Sequence, residues 1–169
     1  ENKIAVGMAP CGGKSVVWFV QYDGRLWEFS ESSAELKQQY SRIFKDWPGL
    51  VMQLVEESDL GNSCHCRTGD MNLLPSFHRQ NKVLLGDAAH LSLTLTSQGA
   101  NSALMDAIIL AKHLWRVSRS FEDAHFEFSS FYNCRKEVLT SYLRGGRKLE
   151  KMFLDPVSDK VPFKIPLVV

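Results

Sequence analysis

The residues best equipped for chemistry in this sequence are Val83-Leu84-Leu85-Gly86-Asp87-Ala88-Ala89-His90. They are followed by Ser97-Gln98-Gly99-Ala100-Asn101 and Asp106-Ala107. An apolar strand that ends in Gly-Asp sets a carboxylate at the C-terminal edge of a sheet, where α/β folds bind ligands. Gly86 and the two alanines leave the backbone open to close approach, and the Asp87 carboxylate can accept hydrogen bonds from ligand hydroxyls. The helix that begins at Ser97-Gln98-Gly99-Ala100-Asn101 offers free N–H groups and a positive dipole end to electron-rich oxygens. A blander reading stands beside this one: Asp87 caps a turn, and the small residues only allow close helix packing.

Other chemically suggestive residues read as structural. Cys64-His65-Cys66 has the wrong spacing for a zinc knuckle and no second ligand pair, so no metal is expected. His90 is expected to be a packed or turn histidine, and Asp106 a structural helix residue. The basic residues Arg135, Lys136, Arg144, Arg147, Lys148 and Lys151, partly offset by Glu137 and Glu150, read as a solvated helix face. Trp18 and Phe19 are placed in core packing ahead of any substrate pocket.

The elements that must position the central stretch follow from periodicity. Ile4 to Met8 is an apolar run, and Pro10-Cys11-Gly12-Gly13 is a turn by composition. Ser15–Tyr22 and Arg25–Phe29 alternate around Asp23-Gly24, which predicts an antiparallel hairpin through a type I′ turn. Ser32 and Glu35 form a capping box before a helix whose inner face is Leu36, Tyr40, Ile43, Phe44 and Trp47. Pro48-Gly49 interrupts it, and a shorter helix to about Ser58 turns Leu50, Val51, Leu54 and Val55 inward. Residues 59–80 are irregular, with Leu73, Leu74 and Phe77 packing inward. Lys82–Leu85 is expected as a buried strand, followed by a helix over 98–117. One or two further helices are expected over 121–153, broken at Gly145-Gly146, with an extended tail from Asp155.

At 169 residues, 44% apolar and 23% charged, the chain can bury a real core and is not disordered by composition. A net charge of +1 gives no reason to expect nucleic acid or an anionic membrane as partner. No run of about 18 apolar residues would span a bilayer. Four cysteines do not make a disulfide framework, which points to a reducing, cytoplasmic setting. The start, Glu1-Asn2-Lys3-Ile4, reads as the middle of a longer protein.

Gly86-Asp87-Ala88-Ala89-His90, Gln98-Gly99-Ala100-Asn101 and Asp106-Ala107 closely resemble the third fingerprint of the class A, aromatic hydroxylase-like, FAD-dependent monooxygenases. In that family the pattern is Gly-Asp-Ala-Ala-His, three residues, Pro, two residues, Gly-Gln-Gly, one residue, Asn; the spacing here matches without a gap. Two positions depart from it: Thr94 stands for the proline and Ser97 for the first glycine. A side chain at Ser97 would cap the helix or crowd the flavin ring. More loosely, the Val17-Trp18-Phe19 strand, the helices around Trp47-Pro48-Gly49, and Phe131-Tyr132 with Arg135 and Arg144 resemble the rest of the family's C-terminal part.

The resemblance implies an α/β fold with α+β character: the C-terminal part of a glutathione-reductase-like FAD-binding fold with part of an antiparallel substrate-domain sheet. Residues 1–78 would end the substrate domain, 79–120 would supply the last strand and helix of the FAD domain, and 121–169 the C-terminal helices and tail. FAD would be the cofactor, held by Gly86, Asp87, Ser97, Gln98, Gly99, Ala100 and Asn101, with NAD(P)H as co-substrate and O₂ used to hydroxylate a small organic, aromatic substrate. The family's N-terminal Gly-x-Gly-x-x-Gly and its middle Asp-Gly motif are not in this sequence. The remainder of the enzyme, or a second copy of the chain, is therefore the expected partner, and the chain alone is expected to be inactive. An inactive relative serving as an interaction module, or an epoxidase, reductase or halogenase of the same superfamily, are the alternatives.

Overall fold

The computed structural model describes residues 3–13, 15–117 and 121–155. The chain divides into two compact units, one up to Cys66 and one from Arg67 onward. The expected first segment ran to residue 78; Leu73, Leu74 and Phe77 pack in the second unit.

In the first unit, Gly12 and Gly13 take positive φ of 84° and 59° and reverse the chain between β1 (Ile4–Pro10) and β2 (Val16–Tyr22). The strands pair antiparallel from Ile4↔Tyr22 to Pro10↔Val16. Gly7 faces Phe19 across the ladder, and a Cβ there would lie 2.3 Å from the Phe19 ring, so glycine is what admits that ring. The hairpin expected around Asp23-Gly24 is not formed. The buried Asp23 carboxylate instead accepts from the Arg25 backbone N–H and guanidinium. Its carbonyl takes the Leu26 and Trp27 amides, closing a helical turn in place of a type I′ reversal. Phe29 is thereby delivered to the core and not to a strand edge.

Helices α1 (Ser33–Ile43) and α2 (Gly49–Glu57) complete this unit. Ser32 stands at the first N-cap, but its side chain makes no cap bond. The expected box is rerouted: Ser30 Oγ donates to Glu35 and accepts from the Ser32 amide. Phe29, Leu36, Tyr40, Phe44, Val51, Val55 and Leu60 form the core, with Trp18, Tyr22, Trp27 and Trp47 packed around it. Trp18 donates to Ser58 Oγ at 2.7 Å, the partner a partly buried indole requires. Leu50, expected inward, is exposed, because Val51 and Val55 already fill that face of a helix nine residues long. Burial, then the neighbouring Tyr22, pushes the Tyr40 phenol up to about 12.

The second unit begins with an irregular stretch leading to β3 (His78–Arg79) and β4 (Lys82–Val83), a two-residue antiparallel pair. The buried strand expected over 82–85 is this short: Leu84 and Leu85 are exposed, since β3 is the sole strand beside it among the described residues. Next come α3 (Asp87–His90), a 3₁₀ turn at Thr94–Thr96, α4 (Gly99–Leu114) and α5 (Phe121–Leu154). The break expected at Gly145-Gly146 does not occur. A Cβ at Gly146 would meet Leu93 and Thr96 at 3.5 and 3.7 Å, so this glycine lets the helix approach the loop. Buried Phe128, Phe131, Leu139 and Leu143 hold α5 and offset glycine's helix penalty of about 1 kcal/mol. Among the described residues no helix is long and apolar enough to cross a membrane.

Candidate flavin site

The turn from β4 into α3 is built on Gly86, with φ 57° and ψ −142°, a region closed to residues with a Cβ. A Cβ there would also lie 3.1 Å from Ala103 Cβ on α4. The Gly86 carbonyl accepts from the amides of Ala89 and His90, so α3 starts at once and Asp87 occupies its first position. Asp87 is exposed, and among the described residues its carboxylate has no hydrogen-bond partner.

The loop after α3 returns the chain to this carboxylate. Leu93 and Leu95 are buried and anchor the 3₁₀ turn. Leu93 has φ −58° and ψ 139°, the conformation required of a residue before proline, so Thr94 leaves the loop in a proline-compatible shape. Ser97 lies in the left-handed region, φ 53° and ψ 23°, which explains why a glycine suits the position. Its side chain does not cap α4; the N-cap is Gln98, also without a side-chain cap bond. The first intrahelical bond runs from Ser102 N–H to the Gln98 carbonyl, so the amides of Gly99, Ala100 and Asn101 lack helical acceptors. A Cβ on Gly99 would lie 3.9 Å from Asp87 Oδ1 and from Ser92 Oγ. The two halves of the motif thus converge: an exposed carboxylate stands beside a row of unspent donors.

Beneath this surface lies a buried ionic network. Asp106, fully buried, accepts from the Gly86 amide (2.9 Å), His90 Nε2 (2.5 Å) and Arg135 Nε (2.7 Å). Arg135 also reaches the Ser102 carbonyl at 3.3 Å. Burial alone would push the Asp106 carboxyl up; the bonds from His90, Gly86 and Arg135 outweigh it and hold the group below the usual carboxylate range. The network ties the Gly86 turn and α3 to α4 and α5. His90 is packed inside the protein and Asp106 is a buried residue of α4, each bonded to the other. Arg135, expected on a solvated face, is 5% exposed. The missed signal is its place on the stripe Phe128, Phe131, Arg135, Leu139, which runs at helical spacing.

The other features of interest share no residue with this site. A groove of about 570 Å³ along α5, lined by Leu73, Tyr132, Lys136 and Arg144, contains none of its residues. Trp18 packs against the first unit's core, whereas Phe19 is exposed. The Cys64 and Cys66 sulfurs lie 3.5 Å apart, and His65 turns toward the Tyr22 hydroxyl at 3.3 Å.

Comparison with known proteins gives this geometry a context. Residues 3–126 match the family described as the FAD binding domain. The chain is 28% identical over 120 residues to Monooxygenase 1 of Arabidopsis thaliana, covering 69% of this chain and 30% of that protein. It is 29% identical over 112 residues to Monooxygenase 2 of the same plant, covering 64% and 28%. The chain therefore spans less than a third of the length of these relatives. Its fold matches Klebsiella pneumoniae HpxO, solved with FAD and uric acid, with a TM-score of 0.76 at 19% identity over 93% of this chain and 39% of that one. It also matches the tetracycline destructase Tet(51), with a TM-score of 0.56 at 18% identity over 94% and 42%.

Proposed function

This chain belongs to the FAD binding domain family, within the class A FAD-dependent monooxygenases, and we propose from that premise that Asp87 and the first turn of α4 hold the ribityl and ring portions of FAD. The observation that carries the reading is the exposed Asp87 carboxylate, unpartnered among the described residues, beside Gly99 and the amides of Gly99, Ala100 and Asn101 that lack helical acceptors. Asp87 accepts hydrogen bonds from ribityl hydroxyls. The α4 amides donate to the electron-rich edge of the ring, and the helix dipole favours negative charge there. Gly99 has no side chain to hold a flat ring away from those amides. Gly86 and Ser97 shape the two backbone turns, with Gln98 between Ser97 and the helix. When bound, FAD supplies the redox chemistry with O₂; the protein positions it and excludes water.

The whole protein's reaction, on this reading, is hydroxylation of a small organic, aromatic substrate with NAD(P)H as electron donor. The relatives' names as monooxygenases support the reaction class, and the family resemblance supports the donor. The partner is the segment that carries the phosphate cradle of FAD. Two observations support it: the chain covers 39% of HpxO, and Leu84, Leu85, Leu104, Met105 and Ile108 present exposed apolar surface. Four free cysteines support a cytoplasmic setting.

Protein carrying this chain together with that segment is expected to purify yellow and to consume O₂ when NAD(P)H and an aromatic substrate are supplied. Yellow protein without O₂ consumption would favour an inactive relative. Colourless protein that takes up no added FAD would refute the flavin reading itself.

A further inference from the structure

We propose that Cys134 is an activated thiol that accepts modification by small disulfides, prepared by His113 and Glu127 outside the flavin site. His113 lies in the last turn of α4, and Glu127 and Cys134 lie seven residues, two turns, apart on α5. His113 is buried, with Nδ1 2.5 Å from Glu127 Oε2. A carboxylate only accepts, so the hydrogen of that bond belongs to Nδ1 and the neutral ring keeps its lone pair on Nε2. That nitrogen is 4.0 Å from Cys134 Sγ, at the outer reach of a sulfur hydrogen bond. Carboxylate, imidazole and thiol thus stand in the order that prepares a nucleophile, the base oriented by a third group. Cys134 is exposed, so a reagent can reach it.

The other three cysteines lack this arrangement. Among the described residues, Cys11 Sγ meets the Ala9 carbonyl, at 3.8 Å, and no histidine. Cys64 and Cys66 face each other, and the hydrogen bond from Cys64 pushes the Cys66 thiol up. His65, between them, faces Tyr22.

In the step proposed, Cys134 Sγ attacks one sulfur of a disulfide RSSR. The new S–S bond forms as the old one breaks. The thiol proton passes to His113 Nε2 and then to the departing thiolate, which leaves as RSH, while Glu127 steadies the transient imidazolium. Cys134 is oxidised to a mixed disulfide, and one RS group is reduced. The product places a new group where α4, whose first turn carries the flavin-facing amides, lies against α5.

The test is peptide mapping of the four cysteines after exposure of the purified protein to limiting glutathione disulfide at neutral pH. Cys134 is expected to be modified on the order of tenfold faster than Cys11. His113→Gln should abolish that lead at unchanged circular dichroism. A Cys134 rate no greater than that of Cys11 in the wild type would overturn the proposal without recourse to any variant. Persistence of the lead in His113→Gln would overturn it equally. Neither outcome bears on FAD, so this inference and the flavin reading fail independently.

Discussion

The two units of this chain are held by different physics. The unit up to Cys66 is organised by aromatic packing: Phe29 meets Tyr22 and Tyr40 edge-on at 4.6 and 5.1 Å, and Phe44 meets Trp47 at 4.9 Å. Among its described residues the one buried carboxylate, Asp23, sits at a turn whose partner Arg25 reaches solvent. The unit from Arg67 also has an apolar core, but within it is a buried charge, Asp106, with three donors from two parts of the chain. Packing forces are non-directional and tolerate shifts; a hydrogen-bonded buried charge fixes positions. The unit that carries the proposed flavin-binding groups is the one whose backbone is fixed in this way.

That contrast can be broken most sharply at its two centres. Phe44→Ala should cost the first unit about 3–5 kcal/mol by leaving a cavity, while Phe44→Leu recovers much of it. Arg135→Met should cost the second unit a similar ~3–5 kcal/mol by leaving the buried Asp106 charge without its guanidinium partner. Arg135→Lys should recover little, because it keeps the charge but not the guanidinium fork. Denaturant midpoints of the four variants check this; full rescue by lysine would show that charge, not geometry, holds the network.

Gly86→Ala comes next. It should cost about 1–3 kcal/mol from the left-handed backbone and from the 3.1 Å approach to Ala103, and it should displace Asp87. Thermal melts with and without FAD would separate the two effects.

Acid offers a smaller and graded test. Asp106 and Asp23 both have lowered folded-state pKa values, Asp23 to about 2 through its hydrogen bonds from Arg25. Their stabilisation is present above the unfolded carboxylate pKa and is lost as pH falls through the folded one. Unfolding followed downward from about pH 4 should show the second unit weakening, and Asp106→Asn should lessen that unit's pH dependence, leaving the part due to His78, whose pKa burial lowers.

The least effect is expected at Ser97. Ser97→Gly should stabilise the protein by up to about 1 kcal/mol, since the left-handed conformation no longer costs a Cβ clash. A loss of stability would show that the Ser97 side chain contributes more than the strain it brings.

Much of the site was legible because its signals are local. Gly-Asp at the end of an apolar run, and small residues opening a helix, declare themselves within a few positions, and the structure brings Asp87 and Gly99 together. What the sequence hid was non-local. Asp23-Gly24 has the composition of a hairpin turn, but Arg25, two residues on, captures the carboxylate. The true partner of β2 lies on its other side, across Gly12-Gly13. Arg135 looks like one cation among many until Asp106, 29 residues away in sequence, is seen to need it. Lys82–Leu85 reads as a buried strand because its residues suit one, yet burial depends on neighbours that a strand cannot specify.

The central claim is that Asp87 holds FAD from the surface this network supports. The direct measurement is an FAD titration, followed by flavin fluorescence, of wild-type and Asp87→Asn proteins that include the phosphate-cradle segment. Circular dichroism should show both equally folded. Loss of a charge-assisted acceptor, worth about 1.5–3 kcal/mol, predicts roughly 10- to 150-fold weaker binding by Asp87→Asn. Equal affinity of the two proteins would contradict the account.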